Sequence, residues 1–283
     1  MSDRSRWFVS AEWLAAHRDD PDVVVVDGSW HLAVSGRDGR REYDAAHIPG
    51  AVFFDIDAIA DTAIPLPHML PSAEVFAAAV GALGIDEEQR IVVYDSDGLG
   101  ASPRVWWTFR VMGAEDVVIL DGGLPKWRAE GRAVDAEPVN RPPRRFVARP
   151  FPGVTRTLAE VRDGLASGAF QVVDARPAAR FHGAAPEPRP WVKTGRIPGS
   201  LSLPSSDLVA NGRLKDEQAI RDLFAAAGVD LAKPIVTSCG SGVNAATLSL
   251  ALETIGVPVE NSSLYDGSWT EWGARDDTEI AVG

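Results

Sequence analysis

The sequence contains a single cysteine, Cys239, among 283 residues. One cysteine excludes an intramolecular disulfide, and with only five histidines no spacing resembles a zinc site, so we expect no metal. No apolar run approaches the roughly 20 residues that a transmembrane helix needs. The stretch from Met1 to Trp7 lacks the apolar character of a signal peptide, so we expect a cytoplasmic protein without a membrane partner.

Basic residues are also scarce, because 28 Lys and Arg stand against 40 Asp and Glu and give a formal net charge of −12. Nucleic-acid binding needs clustered positive charge, so this balance argues against a nucleic-acid partner. Any anionic substrate must instead be bound by local arginines. Hydrophobic residues make up 45% of the chain and charged residues 24%, which is typical of a globular protein.

The two halves of the chain repeat the same landmarks at an offset of roughly 145 to 149 residues, which indicates a duplication. The paired segments are 24–27 (VVVD) with 171–174 (QVVD), 47–51 (HIPGA) with 196–200 (RIPGS), 91–98 (IVVYDSDG) with 235–242 (IVTSCGSG), and 121–127 (DGGLPKW) with 266–272 (DGSWTEW). We therefore expect a first domain over residues 1–135, an extended linker rich in Pro and Arg over 136–155, and a second domain over 156–283.

Short Val and Ile runs alternate with helical patterns in each half. The helical patterns span residues 72–83, 101–112, 217–227 and 245–255. This alternation predicts an α/β fold in which each domain has a mostly parallel sheet flanked by helices on both faces.

Cys239 stands where an apolar strand runs into the loop Gly240, Ser241, Gly242, Val243, Asn244 and then into an apolar helix. A side chain at the carboxyl end of a strand in an α/β sheet faces the ligand crevice. Backbone N–H groups of a glycine loop at a helix start favour negative charge. Both features favour a reactive thiolate, against the alternative of a small buried hydrophobe.

Together these residues resemble a known family, the tandem-domain rhodanese-type sulfurtransferases, over nearly the whole chain. The resemblance rests on the duplication, the two Ile-Pro-Gly turns, the CGSGV segment at 239–243 and the YDGSW segment at 265–269. Within the family, the loop is similar to that of 3-mercaptopyruvate sulfurtransferases, whereas thiosulfate-using members carry basic residues directly after the cysteine. Asn244 departs from the pattern, because the family usually has threonine there.

The resemblance implies a tandem rhodanese-like fold and transfer of sulfur from 3-mercaptopyruvate through a persulfide on Cys239, with release of pyruvate. The acceptor would be thiophilic: a thiol, a thioredoxin-type protein or cyanide. No cofactor is expected. The loop from Gly240 to Asn244 would stabilise the persulfide. Arg180 and Arg189 map onto the anchor for the substrate carboxylate. Ser241, His68 and Asp57 map onto proton handling, the last two reaching across from the first domain.

The repeat also predicts which half performs the chemistry. Asp95 occupies the position equivalent to Cys239, and an aspartate cannot carry sulfur, so we expect a catalytically inactive first domain. Three alternatives stay open: thiosulfate as the preferred donor, a binding or redox-sensing module, and a cysteine-dependent phosphatase. The phosphatase alternative is weakened because no arginine closes the loop after Val243.

Overall fold

The computed structural model describes residues 4–283 and contains two five-stranded sheets, in which all strands are parallel. The strands are β1 Phe8–Val9, β2 Val23–Asp27, β3 Val52–Phe53, β4 Arg90–Tyr94, β5 Val117–Leu120, β6 Thr155–Arg156, β7 Gln171–Asp174, β8 Leu201–Ser202, β9 Val209–Ala210, β10 Arg213–Leu214, β11 Ile235–Ser238 and β12 Ser262–Tyr265. The sheet orders, β1-β5-β4-β2-β3 and β6-β12-β11-β7-β8, are equivalent, so the duplication extends to topology. A small antiparallel pair joins β9 to β10.

Ten α-helices lie in the described residues and pack around these sheets. They are α1 Ala11–His17, α2 Gly39–Ala45, α3 Ala73–Ala82, α4 Ser102–Val111, α5 Gly123–Ala129, α6 Leu158–Ser167, α7 Ala178–Phe181, α8 Glu217–Ala226, α9 Ala245–Thr254 and α10 Ser268–Trp272. Among residues 4–283, no helix has the length and apolar character required to cross a membrane. The predicted α/β fold with two equivalent domains is confirmed.

The central strands are buried because both of their faces are covered, and β2 and β5 consist almost entirely of Val, Ile and Leu. Every residue of β2, β5, β7 from Val172 onward, β11 and β12 is buried. Such continuous Val and Ile runs are typical of parallel strands with helices on both sides. The four helical patterns predicted from the sequence coincide with α3, α4, α8 and α9, with ends within one or two residues of the expected ones.

Residues 136–154 form no helix or strand and run along the first domain. The backbone of this segment donates hydrogen bonds from Arg144 to Gly81 and from Arg149 to Met112, and Phe146 is buried in the hydrophobic core. Thr155, the last residue of the predicted linker, already pairs with Leu264 in the second sheet. The connection is therefore a fixed strap rather than a free tether.

Helices α4 and α9 occupy equivalent places in the two domains and pack against each other. In α4 every residue except Arg110 is buried, and in α9 every residue except Glu253 is buried. These two exceptions form an ion pair with 3.1 Å between Nη2 and Oε2. One hydrophobic cluster, which includes Val105 and Leu248, runs through this contact and joins the domains.

An aspartate ends the equivalent strands β2 and β7, and each accepts a hydrogen bond from the backbone two residues later. Asp174 is paired with Arg176, whose side chain is also fully buried, at 2.8 Å. Asp27 has no such cation, because Ser29 stands at the position equivalent to Arg176 and offers only neutral donors. Burial therefore raises the pKa of Asp27 to about 6.

This difference predicts a pH-dependent effect of Asp27→Asn. A carboxyl whose pKa is higher in the folded state favours folding below its unfolded pKa, and that contribution is lost as the pH rises through about 6. From pH 4 to pH 7 the wild type should lose about 2 to 3 kcal/mol of unfolding free energy relative to the variant. Urea unfolding at both pH values tests this, with exposed Asp22→Asn as the control. Equal pH dependence in Asp27→Asn and wild type would contradict the prediction.

Candidate active site

Cys239 directly follows β11, the central strand of the second sheet, and is 3% exposed. The loop that continues from it leads into α9, which begins at Ala245. The thiol therefore lies at the carboxyl end of a parallel sheet and at the start of a buried helix, where a ligand crevice is expected. The strand, loop and helix predicted from the sequence around Cys239 are all present.

The start of α10 fixes the loop from the other side. Ser268 Oγ accepts a hydrogen bond from the Cys239 N–H at 3.1 Å. The Trp269 and Thr270 N–H groups donate to the carbonyls of Cys239 and Gly240 at 3.0 and 2.8 Å. Ser268 adopts a φ of 51°, a left-handed conformation that is uncommon for a residue with a side chain. The YDGSW segment thus shapes the cysteine loop.

A hydrogen-bonded chain crosses from the first domain to this loop. His68 Nδ1 lies 3.0 Å from Ser241 Oγ, and His68 Nε2 lies 2.9 Å from Asp57 Oδ1. With Asp57 ionised, Nε2 carries the proton and Nδ1 accepts from the serine hydroxyl. The His68 hydrogen bond lowers the pKa of Asp57, so Asp57 stays ionised at neutral pH. The structure therefore brings Asp57, His68 and Ser241 together.

Trp30 also contacts the hydrogen-bonded chain of Asp57, His68 and Ser241, although the sequence analysis did not identify it. Its Nε1–H donates to Asp57 Oδ2 at 3.0 Å, and its ring meets the His68 imidazole edge to face at 4.6 Å between centroids. The His68 side chain is only 2% exposed, whereas that of Asp57 is 64% exposed. Trp30 therefore orients a carboxylate that water would otherwise leave free to rotate.

The two candidate arginines have different surroundings. Arg180 forms an ion pair with Glu187, whose side chain is 3% exposed and which also binds Arg176 at 2.8 Å. A Cβ on Gly240 would lie 3.2 Å from Arg180 Nη2, which places this guanidinium against the cysteine loop. Arg180 thus reaches the site with a buried counterion already bound.

Arg189 forms no ion pair within residues 4–283, and its one side-chain hydrogen bond there is a long one, 3.4 Å from Nη1 to Thr270 Oγ1. Burial lowers the pKa of Arg189, and the negative form of Cys239 acts in the opposite direction. The guanidinium is therefore close enough to the thiol to interact with its charge. Of the two arginines, Arg189 is the one with its donors available to a carboxylate.

Asn244, the departure from the family pattern, is exposed at the start of α9. Its side chain makes no capping hydrogen bond to the helix. It lines a groove of about 310 Å³ between the domains, together with Trp30, Arg37 and Asp97 of the first domain. The Asn244 side chain therefore lies on the groove that leads to the site and does not contribute to holding the cysteine loop.

Two segments of the chain, residues 10–130 and 157–275, match the model of the rhodanese-like domain. The chain belongs to the rhodanese-like family. It is 44% identical to the 3-mercaptopyruvate sulfurtransferase of Escherichia coli K12 over 277 residues, covering 97% of both chains. It is also 40% identical to the thiosulfate sulfurtransferase of Bos taurus, covering 98% of this chain and 95% of that protein.

The crystal structure of SseA from Escherichia coli, described with the "Rhodanese" fold and mechanism of 3-mercaptopyruvate sulfotransferases, matches with a TM-score of 0.86 and 42% identity. The match covers 93% of this chain and 98% of that one. Family and architecture therefore agree with the resemblance drawn from the loop and the repeat.

The two rhodanese-like loops use the same backbone in different ways. In the first domain Asp95 Oδ2 accepts hydrogen bonds from the N–H groups of Gly100, Ala101 and Ser102 at 2.7 to 3.0 Å, and Oδ1 accepts from Asp97 at 2.8 Å. This loop is thus a set of converging donors closed around an internal anion.

In the second domain the equivalent donors are left open. The N–H groups of Ser241, Asn244 and Ala245 have no acceptor among residues 4–283, while that of Ala246 bonds to Val243. A backbone that holds a carboxylate in one domain offers the same donors to a negatively charged sulfur on Cys239 in the other. The duplication thereby supplies an internal comparison for the role of the loop.

Sequence reasoning did not identify Glu187 or Arg176 as part of the site, although both lie beside the predicted arginines. Arg176 is 1% exposed, and its guanidinium lies over the Trp269 ring at 4.5 Å. The only sequence signal was Glu187 itself, a carboxylate between two prolines and two residues before Arg189. Its pairing with Arg180 and Arg176, 7 and 11 positions earlier, could not be read from spacing.

The closed loop predicts that Asp95→Ala destabilises the protein by about 3 kcal/mol or more, because four N–H donors lose a buried, charged acceptor. Urea unfolding at pH 7 measures the loss. Asp95→Asn keeps an oxygen acceptor and should cost less than Asp95→Ala. A loss below about 1 kcal/mol for Asp95→Ala would be inconsistent with this account of the loop.

Proposed function

We propose that this rhodanese-like protein is a 3-mercaptopyruvate sulfurtransferase, in which Cys239 takes sulfur from the donor and passes it to a thiophilic acceptor. The single observation that carries the proposal is the chain from Asp57 through His68 to Ser241, which ends in the loop of the nucleophile. A donor whose product is an enolate needs a proton beside the breaking bond. Relatives with that activity at 44% identity support the same conclusion.

In the first half-reaction the Cys239 thiolate attacks the thiol sulfur of 3-mercaptopyruvate. The Sγ–S bond forms as the C–S bond of the donor breaks, and the electron pair of the C–S bond passes into the enolate of pyruvate. The proton of the donor thiol moves through Ser241 to His68 and returns to the enolate carbon, which gives pyruvate. Asp57 stabilises the imidazolium that exists between these two transfers.

The outer sulfur remains on Cys239 as a persulfide anion, and the open N–H groups of the loop from Gly240 to Asn244 stabilise it. In the second half-reaction an acceptor thiolate attacks this outer sulfur and restores the Cys239 thiolate. A small thiol, a thioredoxin-type protein or cyanide fits this step. No cofactor takes part in either half-reaction. We propose that the protein acts in the cytoplasm.

The donor carboxylate binds Arg189 first in this scheme, because a guanidinium without a counterion can offer two parallel hydrogen bonds. Arg180 adds a second cationic contact beside Gly240, although Glu187 neutralises part of its charge. Asp95 leaves the first domain without a nucleophile, so that domain contributes Asp57 and His68 but carries no sulfur.

Thiosulfate is the second candidate donor, and the 40% identity to a thiosulfate sulfurtransferase favours keeping it. Thiosulfate is a dianion without a carbon to protonate, so it needs more positive charge and no proton relay. Gly240 and Ser241 supply no charge directly after the cysteine. The loop therefore supports 3-mercaptopyruvate as the better donor.

Intact mass after incubation with each donor tests the proposal. We expect wild-type protein to gain one sulfur atom faster from 3-mercaptopyruvate than from thiosulfate, with release of pyruvate, and Cys239→Ser to gain none. Loading from thiosulfate alone would replace the donor and keep the nucleophile. No loading from either donor would refute sulfur transfer altogether.

Variants of the relay test its role separately. His68→Ala should lower the rate of loading from 3-mercaptopyruvate by about 100-fold, since general acid–base catalysis contributes on this scale. Asp57→Asn should have a smaller effect in the same direction. Alkylation of Cys239 by iodoacetamide needs no relay and should proceed as in wild type. His17→Ala, a partly exposed histidine of α1 bound to Asp20, is the control.

The pH dependence of loading gives a second test. Because the His68 hydrogen bond lowers the pKa of Asp57, this carboxyl stays ionised throughout the neutral range and sets no limb of the wild-type profile above pH 5. Asp57→Asn should therefore lower the rate at every pH between 5 and 8, because the imidazolium loses its carboxylate partner. A variant that matched wild type across this range would remove Asp57 from the relay.

A further inference from the structure

Arg104 of the first domain is a buried cation whose contacts lie mainly at the boundary with the second domain. Its Nη1 lies 2.6 Å from Asp266 Oδ1, and the two side chains are 3% and 5% exposed. The guanidinium also lies over the Trp107 ring at 4.7 Å. The attraction within a buried ion pair often does not recover the desolvation energy of the two charges. Stability alone therefore does not explain why this pair is present.

The same two side chains hold the backbone from His68 to Leu70. Arg104 Nη2 donates to the His68 carbonyl, and Asp266 Oδ2 accepts from the Leu70 N–H at 2.5 Å. His68 has a φ of 64°, in the left-handed region that residues with side chains seldom adopt. Such a conformation persists only where the surroundings impose it.

The pair also contacts the cysteine loop. Arg104 Nη1 lies 3.4 Å from the Gly242 carbonyl. A Cβ on Gly242 would come within 2.8 Å of Asp266 Oδ1 and 2.9 Å of Arg104 Nη1, so a glycine is required for the close approach. The pair therefore lies between the two loops whose side chains, His68 and Ser241, meet at 3.0 Å.

We propose that Arg104 and Asp266 are positioning residues, which hold the His68 loop and the cysteine loop in the register that sulfur transfer requires. This inference rests on the proposed function, because register matters for activity only if His68 moves a proton. Neither residue touches the reacting atoms. Each acts through the backbone, Arg104 on His68 and Gly242, and Asp266 on Leu70.

The same helix offers a matched control in Arg110. Arg110 also lies on α4, also pairs across the domain boundary, with Glu253 of α9, and also lies over a tryptophan ring, that of Trp106 at 5.2 Å. It contacts neither of the two site loops. If the pairs contribute only to domain association, substitution of either pair should affect loading alike. If Arg104 and Asp266 position His68, only substitution of that pair should slow loading.

The test compares Arg104→Met/Asp266→Asn with Arg110→Met/Glu253→Gln. Changing both partners avoids an unpaired buried charge, and asparagine keeps an acceptor for the Leu70 N–H. We expect the first variant to lower kcat for loading from 3-mercaptopyruvate on the order of 100-fold, as misplacement by about 1 Å can do, with KM for the donor changed little. The second should load like wild type, and Cys239 alkylation should be unchanged in both.

Combination with His68→Ala decides between positioning and a general structural effect. If the pair acts through His68, Arg104→Met/Asp266→Asn should slow a His68→Ala protein less than about twofold further, because the positioned group is already absent. An equal further loss in that background would overturn the inference. So would slower alkylation of Cys239 in proportion to slower loading.

A spectroscopic readout separates this inference from the proposed function. The side-chain ¹H–¹⁵N signal of His68, assigned by its loss in His68→Ala, should move in Arg104→Met/Asp266→Asn and stay in Arg110→Met/Glu253→Gln. If wild type fails to load sulfur from either donor, the proposed function fails, while the His68 signal still reports on position. An unmoved His68 signal would refute positioning whatever the activity.

Discussion

The packing of α4 against α9 is the constraint from which the site follows. Both helices are buried on nearly all sides, so neither domain alone can bury the apolar surface of its own helix. Each helix begins directly after the loop at the carboxyl end of its central strand. Helix contact therefore brings the two loops, and the His68 segment beside them, to one crevice. The catalytic arrangement is a consequence of core burial between duplicated halves.

The duplication explains how one backbone can serve both stability and chemistry. In the first domain the loop donors are filled by Asp95, and the loop becomes part of the scaffold. In the second domain a side chain that can accept sulfur stands in the same place, and the donors stay open. The proton relay that we propose is contributed by the first domain, which has Asp95 in place of the nucleophile. The two copies have become complementary rather than redundant.

Much of the fold and of the cysteine loop could be predicted from the sequence, because the sequence patterns that indicate them are local. The Val-rich strands, the helix limits and the loop around Cys239 depend on neighbouring residues, and the repeat fixed the equivalence of Asp95 and Cys239. Family resemblance supplied His68 and Asp57. Trp30 and the pairing of Arg104 with Asp266 escaped, since each depends on a contact between residues far apart in sequence, 162 positions for the Arg104 pair. Glu187 escaped although Arg180 and Arg176 lie only 7 and 11 positions away, because spacing alone does not show which nearby cation a carboxylate binds. Tertiary burial, not composition, gives those side chains their partners.

Glu187 has a consequence for turnover. As the buried counterion of Arg180, it neutralises positive charge at a site that would otherwise hold two unpaired guanidinium groups, those of Arg180 and Arg189, because Arg176 is also paired with Asp174. Under the proposed function, a monocarboxylate meets one unpaired cation rather than several, so we expect donor and pyruvate to be held with moderate strength. Such a site exchanges its anions readily. In the proposed reaction, Glu187 thereby favours release of pyruvate, and departure of pyruvate opens the path by which the acceptor reaches the persulfide.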